Sequence, residues 1–223
     1  IVNHSLLTID VCQGAESLPE FEHLVVDEAH HFQSACTNAL RLDLTVAQIT
    51  EIIRTLVAPD RTGDGGAVGR VRAALGRSKQ GSSEGVQACT RLAEALGALE
   101  PELDAVTSHL DHCAAAFLGA SASSFVQQRR ITEQERTTAE WLGLAQAWKQ
   151  AAETAGRAAR LLEEVRKNAV VLANDEKLAE SVQAVGAGGM VLRELAGGFS
   201  QAILEPAPGQ VYWLSSRENS QEV

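Results

Sequence analysis

This sequence predicts a mainly α-helical chain with a small α/β part, and three observations carry that prediction. Ala and Leu dominate an apolar fraction of 45%. Two long stretches repeat apolar residues at alternating spacings of three and four. Short β-branched or aromatic runs bounded by Gly and Pro fall near the two ends. With 223 residues, the chain is long enough to bury a core.

The first element is the apolar run Ile1–Ile9, read as a strand; Gln13–Glu22, with Gly14 and Pro19, reads as a polar connection. His23-Leu24-Val25-Val26 then ends in Asp27-Glu28, the pattern of a short buried parallel strand. From Leu44 the period changes, and Val46, Ile49, Ile53 and Leu56 share one helix face. Gly63, Gly65, Gly66, Gly69, Gly76, Gly81 and Gly85 mark a flexible region with room for one short helix.

Cys89, Leu92, Leu96, Leu99, Leu103, Val106, Leu110, Cys113 and Phe117 form an unbroken heptad seam, with Pro101 inside it expected to kink or restart the helix. A second seam runs Trp141, Leu144, Trp148, Ala151, Ala155, Ala158, Leu162, Val165, Ala169 and Leu172. Each seam is roughly 40–45 Å long at about 1.5 Å per residue, and Gly119 to Thr132 reads as a polar connection between them. Helices over residues 86–118 and 133–173 are therefore expected to pack as an antiparallel hairpin, with Leu96, Leu99, Leu103 and Val106 facing Trp148, Ala155 and Ala158. Leu178, Val182 and Val185 predict a shorter helix, interrupted at Gly186-Ala187-Gly188-Gly189 and resumed by Met190, Leu192 and Leu195. After Pro206, Pro208 and Gly209, Val211-Tyr212-Trp213-Leu214 reads as a strand.

Charge and cysteine usage narrow the function classes. A formal charge of −10 argues against an autonomous nucleic-acid-binding domain. The stretch from Arg54 to Lys79 is nevertheless locally basic, with Arg54, Arg61, Arg70, Arg72, Arg77 and Lys79 against Asp60 and Asp64. It reads either as a solvated Gly-rich loop or as a DNA contact. Cys12, Cys36, Cys89 and Cys113 make no CxxC pair and are expected to be buried, reduced thiols of a cytoplasmic protein. No metal-ligand spacing joins Cys12 or Cys36 to His4, His30 or His31. Apolar runs such as Ala114–Ala120 are too short to span a bilayer, so no membrane partner is expected. The opening Ile1-Val2-Asn3-His4, without Met or signal peptide, reads as the start of an internal segment of a longer chain.

The chemistry-bearing motif is Leu24-Val25-Val26-Asp27-Glu28-Ala29-His30-His31. In P-loop ATPases, paired acids at the end of a buried strand face the nucleotide. The first holds Mg²⁺, usually through water, and the second orients the attacking water. Together with Ile1-Val2-Asn3-His4-Ser5-Leu6-Leu7 and Leu18-Pro19-Glu20-Phe21-Glu22, this motif resembles the DinG branch of the XPD-like superfamily-two DNA helicases. The resemblance is specific over residues 1–35 and loose over 210–214.

What the resemblance implies is a fragment of a RecA-like P-loop motor domain interrupted by a long antiparallel helical insertion, the arch. Residues 1–43 would belong to the motor domain with its DEAH box, 44–205 to the arch, and 206–223 to a strand returning to the motor sheet and a tail. It makes Asp27 the Mg²⁺ carboxylate, Glu28 the water-activating base, and His30 the link between nucleotide state and DNA. ATP, Mg²⁺, single-stranded DNA and the remaining motor domains are the implied partners. For the DNA, the candidate contacts are Arg70, Arg72, Arg77 and Lys79, with Arg129 and Arg130 at the start of the second long helix. Asn3 and His4 match a family motif, and equally suit side chains that hydrogen-bond a strand end.

The departures are clear. The sequence contains no GxxxxGK[ST], so no nest or Lys cradles phosphates, and the arginine motif of a second motor domain is absent. The cysteines follow the Asn-His segment and are too scattered to be the family's iron–sulfur set. Two other readings compete: a helical scaffold or oligomerisation module with a coincidental DEAH, and a zinc hydrolase using His30 and His31. The zinc reading is the weaker, because HExxH is absent and adjacent histidines on a regular element point in different directions.

Overall fold

The computed structural model describes residues 1–14, 18–58, 65–78, 82–119, 127–172 and 176–216. They divide into two compact units, Ile1–Asp43 and Leu44–Val223. The chain is mainly helical, with one two-stranded antiparallel sheet among the described residues.

The first unit contains helix α1 (His4–Gln13) and helix α2 (Phe32–Leu40). The strand expected over Ile1–Ile9 is instead α1, because its ends carry helix signals. The Asn3 side chain accepts the Leu6 N–H at 2.7 Å, and Gly14 closes the helix at φ 60°, its N–H reaching Asp10 O. His23–Val26, expected as a strand, takes no regular secondary structure and joins no ladder. Leu24 is 52% and Val25 92% exposed. A buried parallel strand exists only with neighbours on both sides, and this unit supplies none among the described residues.

The second unit contains α3 (Val46–Val57), α4 (Gly66–Arg77), α5 (Ser83–Leu118), β1 (Gln127–Ile131), α6 (Glu133–Arg136), α7 (Ala139–Ala169), α8 (Glu176–Ile203) and β2 (Tyr212–Ser216). The two heptad seams lie on α5 and α7 and are buried, with Leu92, Leu96, Leu99 and Val106 on one and Leu144, Trp148, Ala155 and Ala158 on the other. Arg91 meets Glu164 at 2.6 Å, Glu102 accepts from Thr154 at 3.2 Å, and Phe117 stacks on Trp141 with centroids 6.5 Å apart. As numbers rise on α5 they fall on α7, so the pair is antiparallel.

Three sequence expectations are corrected here. Pro101 does not start a new helix: α5 runs as one helix from Ser83 to Leu118. Pro101 and Gly97 are both exposed, so the carbonyl that proline leaves unbonded faces solvent. Likewise, α8 runs unbroken through Gly186–Gly189. A Cβ at Gly188 would stand 3.1 Å from Leu56, and one at Gly189 would stand 3.2 Å from Leu162, so these glycines permit close packing rather than interrupting the helix. The expected antiparallel hairpin of α5 and α7 is present, and α8 packs against α7 as a third helix. Trp148 donates to Ser200 Oγ at 3.0 Å and packs on Phe199 at 4.8 Å, while Trp141 donates to Ile203 O at 3.3 Å.

The third correction concerns the expected return strand. β2 pairs antiparallel with β1, Ile131 opposite Tyr212 and Arg130 opposite Trp213. Its ladder partner therefore lies in the helical unit, in a stretch read from sequence as a polar connection. Arg129 and Arg130 accordingly sit on β1 and not at a helix start. β1 leads into a capping box in which Thr132 caps α6 and the Glu135 carboxylate accepts from Thr132 N–H and Oγ. Arg129 donates to the same carboxylate through Nε at 3.2 Å and Nη2 at 2.8 Å.

Thr132 and Arg129 together hold the Glu135 carboxyl down at about 2. An unfolded glutamate titrates near about 4.3, so the charged form favours folding above that value and loses this effect as pH falls towards 2. Glu135→Gln is therefore expected to lower the melting temperature at neutral pH, with the gap from wild type closing between about pH 4.3 and pH 2. A pH-independent gap in thermal denaturation would contradict this.

Candidate functional site

The DEAH segment lies in the first unit, in the turn between the His23–Val26 run and α2. Glu28 holds the left-handed backbone at φ 49°, uncommon for a residue with a Cβ. Two local bonds set this turn. Asp27 Oδ1 accepts the Glu28 N–H at 2.9 Å, and Glu28 O accepts the His31 N–H at 2.8 Å. Residues Ala29–His31 then form one 3₁₀ turn leading into α2.

His4, on the first turn of α1, reaches across to this segment. Its Nε2 lies 3.0 Å from the Asp27 carbonyl, which can only accept, so the ring is the donor. The same ring stands edge-on to Phe32 at 5.4 Å. Thr8 Oγ lies 3.1 Å from Cys36 Sγ and ties the two helices further along. Asn3 and His4 therefore have structural partners, a helix cap and a tether, and neither bonds a strand end.

Asp27, Glu28, His30 and His31 are all exposed. The structure brings Glu28 and His30 together, Oε2 to Nδ1 at 3.3 Å. It also places the His30 and His31 rings 3.9 Å apart and tilted by 43°. The sequence premise that neighbouring histidines diverge was made for a regular element, and here a left-handed residue and a tight turn stand in its place. One donor atom each from Glu28, His30 and His31 lies within 4.8 Å of the others, while the Asp27 carboxylate instead caps its own turn.

Cysteines take no part in this cluster. Burial pushes the Cys89 and Cys113 thiols up to about 11, as expected for buried thiols, whereas Cys12 is exposed and Cys36 half-buried.

The basic candidates are dispersed. Residues 66–77, expected within a flexible Gly-rich region, form α4 with Val68, Val71 and Leu75 buried. Arg70 is half-buried and donates to Ser181 Oγ at 2.8 Å. Arg72 and Arg77 are exposed. At roughly 100° per residue, Arg70 and Arg77 lie on one side of the buried face and Arg72 on the other. Lys79 lies outside the described residues. Arg129 is committed to Glu135, while exposed Arg130 stands opposite Trp213, itself 59% exposed. The Arg130–Trp213 pair was invisible in the sequence, since nothing local joins two strands so far apart in the chain.

No helix among the described residues is long and apolar enough to cross a membrane. Comparison with known proteins found no matching family model, no matching curated protein and no matching solved structure.

Proposed function

We propose that this chain is a segment of an ATP-dependent DNA helicase of the DinG/XPD-like kind, contributing the DEAH carboxylates and an arch-like helical insertion. The observation that carries the reading is the run His23-Leu24-Val25-Val26-Asp27-Glu28-Ala29-His30-His31 following Asn3-His4. Two structural features support it. The acids follow directly on the apolar run Leu24–Val26 and are exposed to an incoming ligand. Leu24 and Val25, with Val11 66% and Phe21 51% exposed, leave the first unit with apolar surface of the kind that flanking strands of a motor sheet would cover.

In this reading Asp27 holds Mg²⁺ through water, Glu28 orients the attacking water, and His30, in contact with Glu28, relays nucleotide state. Bound Mg²⁺ would neutralise charge developing on the phosphates. The residues present fit part of that task. Two exposed carboxylates can meet a hydrated cation, but no phosphate cradle accompanies them in this sequence. The 223-residue chain by itself is therefore expected to show no heat of Mg·ATP binding in isothermal titration. Micromolar binding would mean that residues outside this reading hold the phosphates. For the whole protein, the decisive assay is ATP hydrolysis with and without single-stranded DNA. Hydrolysis stimulated by the strand is expected, and its absence sinks the helicase reading.

The scaffold reading rested on the heptad seams. Both are buried within one chain, so neither offers an unpartnered seam to a second copy.

A further inference from the structure

We propose that Glu28, His30 and His31 form a surface site for a divalent transition-metal ion of the zinc or nickel type. The inference needs only the conformation of residues 27–32 and does not rest on the helicase reading.

The geometry comes first. A tetrahedral ion with bonds of about 2.0–2.1 Å holds its ligand atoms roughly 3.3–3.4 Å apart. Glu28 Oε2 and His30 Nδ1 already stand 3.3 Å apart, one edge of such a tetrahedron. A ring nitrogen of His31 falls within the 4.8 Å span of the cluster. All three residues are exposed, so rotation about side-chain torsions can close the remaining gap without disturbing a core.

The chemistry agrees. Two imidazoles and one carboxylate form a mixed nitrogen and oxygen donor set. This suits zinc, nickel or copper and is a poor match for Mg²⁺, which prefers oxygen and retains its waters. Three protein ligands also leave a fourth position for water. Two contacts already link the three side chains: Glu28 with His30, and His30 with His31. An ion entering here replaces a single exposed carboxylate–imidazole contact.

The turn explains why three ligands meet within four consecutive residues. The left-handed Glu28 backbone and the following 3₁₀ turn set residue 28 beside residues 30 and 31, which a continuous α-helix or strand would not do.

The test is isothermal titration of ZnCl₂ and NiCl₂ into the 223-residue chain carrying Cys12→Ser, which removes the exposed thiol as a competing ligand. One ion per chain is expected, undisplaced by excess MgCl₂. His30→Ala and His31→Ala should each weaken binding by about tenfold or more. His109 and His112, whose rings lie 6.1 Å apart on α5, are the internal control, and His109→Ala/His112→Ala should leave the affinity unchanged. Circular dichroism confirms that each variant keeps its helices. The proposal is overturned by absence of binding, by binding indifferent to His31→Ala, or by binding lost with the α5 pair.

Discussion

Glu28→Gln is expected to leave the ATP affinity of the whole protein intact while lowering its turnover about 10²–10⁴-fold, the usual contribution of a group that activates or positions water. The substitution keeps the side chain's size and one acceptor oxygen, so the turn held by Asp27 Oδ1 and the Glu28 N–H should survive. In the proposed helicase reading it removes the negative charge that orients the attacking water, worth about 3–5 kcal/mol of barrier over that range. Asp27→Asn should behave differently, raising the Mg²⁺ concentration needed for half-maximal rate, because its assigned task is to hold the ion. Single-turnover hydrolysis separates the two effects. Equal turnover in wild type and Glu28→Gln would remove Glu28 from the mechanism, whatever the fold of the arch.

Trp148→Ala is expected to destabilise the helical unit by about 3–5 kcal/mol, the range for deleting a large buried aromatic. Trp148 is fully buried at 0% exposure and lies where α7 meets α8. Its removal leaves a cavity beside Phe199 and takes away the indole N–H that now bonds the Ser200 hydroxyl. For a unit of this size the melting temperature should fall on the order of 10 °C. Trp148→Phe separates the terms, since it retains most of the apolar volume and loses the hydrogen bond, and should cost about 1–2 kcal/mol. Urea denaturation followed by circular dichroism reads both. A loss below about 1 kcal/mol for Trp148→Ala would mean that α8 repacks over the gap.

The sequence by itself determined the helices whose apolar spacing persists for many turns. Cys89 to Phe117 and Trp141 to Leu172 could be placed because a seam repeating at three and four is compatible with one periodicity only. It also determined the acidic pair at the end of an apolar run, since Leu24 to His31 is contiguous and needs no partner to be recognised.

Tertiary structure decided whatever depended on a distant neighbour. Gly186–Gly189 read as a break until Leu56 and Leu162 filled the space a Cβ would occupy. Gln127–Ile131 read as a connection until Tyr212–Ser216 paired with it, and a ladder cannot be inferred from one strand. His23–Val26 carries the composition of a buried strand, yet stays exposed where no neighbouring strand covers it. The meeting of Glu28, His30 and His31 depends on a left-handed residue, a backbone choice that Asp27 Oδ1 and the His31 N–H stabilise and that apolar periodicity does not encode. Periodicity along the chain tells which face of an element is apolar. Which partner that face meets is set by contacts between residues far apart in sequence.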